Sequence, residues 1–170
     1  MVLSVTEKNE LEEMFIAFLN DERIQRMKLI PMHRGSNCFI HSFKVAKLAI
    51  KRALRHKLAD LKVILIASIL HDYYLYDWRK DRSYRKHHTK NHPNVAIQNA
   101  VNDFDVSEKV KRIIKTHMWP ANFKDFPNSK EARIVSLADK SIATQEFLTS
   151  ASYKKKKEHL YLEKISHLFD

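Results

Sequence analysis

A chain of 170 residues with 44% hydrophobic residues is long enough for one domain with a sizeable core. One glycine and four prolines exclude a turn-rich all-β fold, and the lone Cys38 excludes a disulfide framework or a thiolate metal cluster. An excess of 31 Lys+Arg over 20 Asp+Glu gives a net charge of +11, which favours phosphate esters, nucleotides or nucleic acid as partners without choosing among them.

The acidic opening stretch, MVLSVTEKNELEE, does not read as a secretory signal. No apolar run approaches the ~20 residues of a membrane helix. A cytoplasmic protein with no membrane partner is the simplest expectation. Leu11, Met14, Phe15, Phe18 and Leu19 recur at helical spacing and predict an amphipathic helix over about residues 6–23, capped by Ser4 or Thr6. Pro31 to Asn37, with Gly35, reads as a loop. A second helix runs from about Ser36 to His56 and carries His41 near its start, beside Val45 and Leu48. Asp60 caps a third helix whose apolar run ends in His71-Asp72.

The basic stretch Asp77 to Asn91 reads either as a solvated loop or as a basic lip suited to phosphate. Pro93 predicts a helix start there, with Val95 to Val101 in the helix and His92 at its mouth. Asp105 or Ser107 opens the next helix, in which Val110, Ile113, Ile114 and His117 share one stripe. Residues ~130–149 form a further helix with Asp139 among its apolar positions. A last helix is expected from the Lys154 to Lys157 charge run through Leu168. The expectation is one all-α domain over residues 1–170, a bundle of about six or seven helices with its core at about 36–149.

Taken singly, each polar residue on these stripes has a bland reading. A lone core histidine is usually a satisfied structural one, and His71-Asp72 could be a buried ion pair. The set is more telling: His41, His71, Asp72, His92, His117 and Asp139 each sit on or at the end of a helix. Burying such groups requires a partner. A bundle can gather them into one metal site, and four histidines with two carboxylates suffice for two ions, with Asp72 able to bridge. Imidazole and carboxylate donors without thiolate suit divalent Fe, Mn, Ni, Co or Zn in a hydrolytic site.

The strings IHSFKVAKLA, ASILHDYYLYDW, NHPNVAIQNA, IIKTHMWP and RIVSLADKSIA resemble the HD-domain superfamily of metal-dependent phosphohydrolases over ~36–149. The chain is similar to uncharacterised bacterial HD proteins and to HD-type enzymes that split dinucleoside tetraphosphates symmetrically. The resemblance implies that His41, His71, Asp72 and Asp139 form the basic metal set and that His92 and His117 serve a second ion. It leaves His88 as a supporting catalytic group. Two departures bear on the lip: Arg79 stands where relatives hold a histidine, and Thr89 where a glycine is expected after His88. The Gly-Lys that follows His-Asp in cyclic-di-nucleotide phosphodiesterases is missing, which disfavours that substrate.

The implied reaction is hydrolysis of a small phosphorylated substrate, a nucleotide, by metal-activated water. Asp72 or Asp139 accepts the water proton, and Arg34, Arg79 and Lys140 are the phosphate-contact candidates by charge and sequence position. Two rivals stand beside it: a metal-dependent nuclease or nucleotidase, and a non-catalytic basic nucleic-acid module with a structural ion. The residues leave the substrate, the metal and the oligomeric state open.

Overall fold

The structure, a computed structural model, describes residues 3–32, 36–56, 60–80, 82–148 and 165–169, with the side chains of 82–84 also outside the description. Seven α-helices account for the fold among the described residues: α1 (Val5–Asn20), α2 (Glu22–Gln25), α3 (Cys38–Ala53), α4 (Leu61–Leu70), α5 (Arg82–Asp103), α6 (Glu108–Thr116) and α7 (Lys130–Leu148). There is no strand among them, only an isolated bridge between Pro31 and Asn37. The all-α bundle expected from periodicity is the observed class.

The sequence punctuates these helices legibly. Ser4 caps α1 and forms a capping box with Glu7, Asp60 caps α4 through the Val63 amide, and Ser107 rather than Asp105 caps α6. Each such cap is worth about 1 kcal/mol. α4 is apolar all round because it is the buried centre. It packs against α3, α6 and α7, while α3 also lies along α7 and α6 along α5. Phe15, Phe39, Phe43, Leu65 and Ile69 fill the space between α1, α3 and α4 and are essentially inaccessible.

Three expectations need correction. The first helix does not run to residue 23. Asp21 is extended, at φ −68° and ψ 124°, and its carboxylate caps a new helix through the Arg23 and Ile24 amides. A 3₁₀ turn, Arg26–Leu29, follows. The basic stretch after Trp78 is not a loop to Asn91, for α5 begins at Arg82 and carries Pro93 in its interior. An interior proline has no N–H and so removes the hydrogen bond to the carbonyl four residues back. One position earlier, the His92 ring donates to the His88 carbonyl at 2.9 Å, next to the Thr89 carbonyl that Pro93 cannot serve. Of the expected last helix, residues 154–164 lie outside the described residues. Residues 165–169 form a turn that buries Ile165 and Leu168.

Candidate metal centre

The six ligand-type residues come from five elements. His41 lies one turn inside α3, His71 and Asp72 follow the last turn of α4, His92 is mid-α5, His117 ends α6, and Asp139 is mid-α7. All six are buried. Just after His71-Asp72 the chain passes through Leu75, whose φ of 55° is a left-handed conformation costing a non-glycine residue about 1–2 kcal/mol.

A carbonyl can only accept, so the ring nitrogen facing it must carry the proton. His71 Nδ1 donates to Ser68 O at 2.8 Å, His92 Nδ1 to His88 O at 2.9 Å, and His117 Nδ1 to Ile114 O at 2.7 Å. In the neutral rings the Nε2 atoms are then bare lone pairs. His92 Nε2 and His117 Nε2 nevertheless face each other at 3.0 Å. His71 Nε2 is buried with no hydrogen-bond partner among the described residues. It lies 3.4 Å from Asp72 Oδ2 and 3.7 Å from Asp139 Oδ1. His41 Nε2 sits 3.1 Å from Asp139 Oδ1. The other oxygen of Asp72, Oδ1, is 3.2 Å from His92 Nε2 and 3.6 Å from His117 Nε2.

Where these rings are neutral their lone pairs and the carboxylate oxygens repel, and either a proton or a metal cation removes that repulsion. The spacing suits a metal ion. Two donors each about 2.1 Å from an ion lie about 3.0 Å apart at right angles and about 3.4 Å apart at the tetrahedral angle. Three overlapping triads have donor atoms within 4.8 Å of one another: His41, His71 and Asp72; His71, His117 and Asp139; Asp72, His92 and His117. The residues therefore fit one or two metal ions.

In the metal-free protein, protons take up part of this charge. Burial disfavours charge on His41, yet Asp139 and Glu146 outweigh it and raise its pKa to about 9. Burial would push Asp72 up, but His71 and His92 hold it well below the usual carboxylate range. Burial and the charge of His71 and His92 depress His117 to about 3.

A cavity of about 660 Å³ opens onto these groups, within the range of small-molecule sites. Arg85, His88, Thr89 and His92 line one wall at helical spacing along α5. Met118, Pro120 and Ala121 line another, and Tyr74, Trp78 and Met32 a third. His88 is stacked between Trp78, 5.1 Å away at 18°, and His92, 4.6 Å away at 27°. Tyr76 Oη is 3.0 Å from its Nδ1. Burial and neighbouring His92 lower its pKa to about 4.

The three expected phosphate contacts fare differently. Arg34 lies outside the described residues. Arg79 is not on the cavity wall; its guanidinium turns back to Asp77, Nε to Oδ1 at 3.3 Å. Lys140 lines the cavity, but its ammonium donates to His117 O at 2.7 Å, Ser136 Oγ at 2.9 Å and Ser136 O at 3.4 Å. One of these bonds braces His117, and the other two tie the ammonium back to Ser136 on its own helix. The basic residue that sequence position did not single out is Arg85; the 85/88/92 spacing would have found it had α5 been started early enough. Glu146 was also missed. It extends the α7 stripe of Val135, Ala138 and Ile142 by one further turn, which is the signal for it, and it is buried against His41.

An all-α bundle whose helices deliver a histidine and aspartate cluster to the floor of a cavity defines the class. The HD domain family model matches residues 38–144, and the chain belongs to that family, part of a superfamily of metal-dependent phosphohydrolases. No curated protein and no solved structure matches the chain. No helix of the described residues is long and apolar enough to cross a membrane.

Proposed function

We propose that this HD-domain protein hydrolyses a phosphate ester or anhydride of a nucleotide-like small molecule. His41, His71, Asp72 and Asp139 hold one divalent transition ion, and Asp72, His92 and His117 a second. The observation that carries this reading is the convergence of four histidine Nε2 atoms and two carboxylates on the floor of an open cavity. A buried ion-pair network would need a protonated His92 between His117 and Asp72; with both rings neutral the two facing Nε2 atoms are instead free to serve as metal donors. One oxygen of Asp72 faces each group, which supports a bridging role.

When bound, the ions supply water acidified toward neutral pH and compensation of charge on the phosphoryl oxygens. The chain supplies the rest. Asp72 or Asp139, both ionised, would accept the single proton that the attacking water gives up. His88, neutral and hydrogen-bonded with Tyr76, can relay a proton at the cavity wall. Arg85 enters the cavity from α5 and can hold a non-reacting phosphate oxygen. Trp78 and the Met32 and Met118 side chains offer an apolar wall to a base.

A nucleic-acid substrate is the second reading. Phe123 and Phe126 are exposed, at 77% and 46%. Beside them a separate cavity of about 430 Å³ is lined by Lys109, Arg112, Lys115 and Phe126. Aromatic and basic side chains together suit single strands.

One experiment separates these readings. Wild type, His71→Ala and Asp72→Ala are compared on mono- and dinucleotides and on nucleic acids with Mn²⁺, Fe²⁺, Co²⁺, Ni²⁺ or Zn²⁺. Metal-dependent phosphate release from small nucleotides, abolished by both substitutions, is expected. Inactivity of wild type across the panel with tight nucleic-acid binding unaffected by either substitution overturns the proposal.

A further inference from the structure

We infer that Glu146 is a positioning residue for His41 and that it makes the His41 end of the centre the tighter of two unequal ion sites. This rests on the reading that the histidine and aspartate cluster binds metal. It adds a residue outside the matched family segment, 38–144, and an order of loading.

Glu146 lies in the last turns of α7, seven residues after Asp139 and so on the same face of the helix. It is 2% exposed. A carboxylate is not buried this deeply without partners that need it. Its Oε2 is 3.0 Å from His41 Nδ1. Its Oε1 accepts from Ser36 Oγ at 3.0 Å and from Lys44 Nζ at 3.1 Å. Ser36 and Lys44 thus aim one oxygen away so that the other meets the imidazole.

The contrast among the four histidines carries the inference. His71, His92 and His117 each have Nδ1 on a neutral backbone carbonyl. His41 has Nδ1 on an anion. A carboxylate behind an imidazole fixes the ring and makes the opposite nitrogen a stronger donor than a carbonyl does. The distribution of the other carboxylates points the same way. At the His41 end Asp139 Oδ1 lies 3.1 Å from His41 and 3.7 Å from His71, with Asp72 Oδ2 3.4 Å from His71, whereas the near oxygen for His92 and His117 is Asp72 Oδ1, and Asp139 comes only within 4.8 Å of His117. The His41 end therefore presents more negative charge and a more basic imidazole.

Metal-stripped full-length protein is titrated with Co²⁺ alone, followed by calorimetry and by the visible bands of the bound ion. Two steps of unequal affinity are expected for wild type. Glu146→Gln should weaken the tight step by about 10–100-fold and shift its visible bands, leaving the weak step within about 3-fold. Glu146→Asp should recover part of the loss, which a purely structural role would not produce. If Glu146→Gln does not fold, Ser36→Ala decides the matter, with a smaller loss expected in the same step. Wild type that binds no Co²⁺ overturns the phosphohydrolase reading as well as this one. Two equal steps, a single step, or a tight step unchanged in both affinity and spectrum in the variant overturns this inference alone and leaves that reading standing.

Discussion

The histidine and aspartate centre and the rim of its cavity are held by different means. At the centre every histidine has its Nδ1 fixed, by Ser68, His88 and Ile114 carbonyls or by Glu146, so each Nε2 has one direction to point. The Ser68 and Ile114 carbonyls do this from helix ends, where their own helical partners have run out, while the His88 carbonyl does it from inside α5. At the rim the groups are stacked or solvent-facing: His88 lies on Trp78, and Arg85 is exposed. A rigid floor under an adaptable lip suits a site in which the chemistry is fixed and the substrate is selected at the edge.

The largest expected effect breaks the centre. Asp72→Ala should lower metal-dependent turnover by more than about 100-fold, beyond the roughly 10–100-fold typical of an outer partner. Elemental analysis should show both ions lost. Loss of a single ion would remove the bridge and keep the site.

Metal binding should next appear as stability. With free Mn²⁺ or Co²⁺ at 100 times its Kd, the native state gains about 2.7 kcal/mol. For a chain of this size that is a rise of about 5–10 °C in Tm by calorimetry. The rise should vanish in His71→Ala.

At the rim, Arg85→Ala should raise KM about tenfold, the loss of one charge-assisted bond worth about 1.4 kcal/mol, with kcat nearly unchanged. Lys140→Met tests the opposite assignment. It should leave KM within about 2-fold and instead lower Tm by about 2–6 °C, since it removes one of two α7 donors to the His117 carbonyl, the other being Ser136 Oγ. A large KM effect from Lys140 and none from Arg85 would reverse the roles given to them.

The smallest effect concerns pH in the metal-free protein. Burial and His92 lower His88 to about 4 from an ordinary 6.5. Its folded pKa lies below its unfolded one, so the unfolded chain binds more protons between those values. The contribution is fully present above 6.5 and is lost as pH falls from 6.5 through about 4. Urea unfolding of wild type and His88→Phe over that window should show the shallower pH slope in the variant.

Helix content, the caps at Ser4, Asp60 and Ser107, and the inward faces of α3, α6 and α7 could be read from the chain, because apolar spacing and local capping act within a few residues. The six clustered residues were legible for the same reason: each lay on an apolar stripe or at the end of an apolar run, where a polar group needs a partner. Which of them would face which, and that Asp72 would turn one oxygen to each group, followed only from the packing of α4 against α3, α6 and α7. Local rules misplaced the start of α5, because Pro93 carries a helix-start signal that the surrounding fold overrode. That error hid Arg85, and with it the basic group that enters the cavity. Arg79 and Lys140 were chosen by charge near the motif, but charge in sequence does not say which acceptor a long side chain will find. Asp77 took the first and the His117 carbonyl the second. Glu146 lies 105 residues from His41 in sequence. Their pairing depends on the helix-to-helix register of α3 and α7, which is set by long-range packing rather than by local sequence.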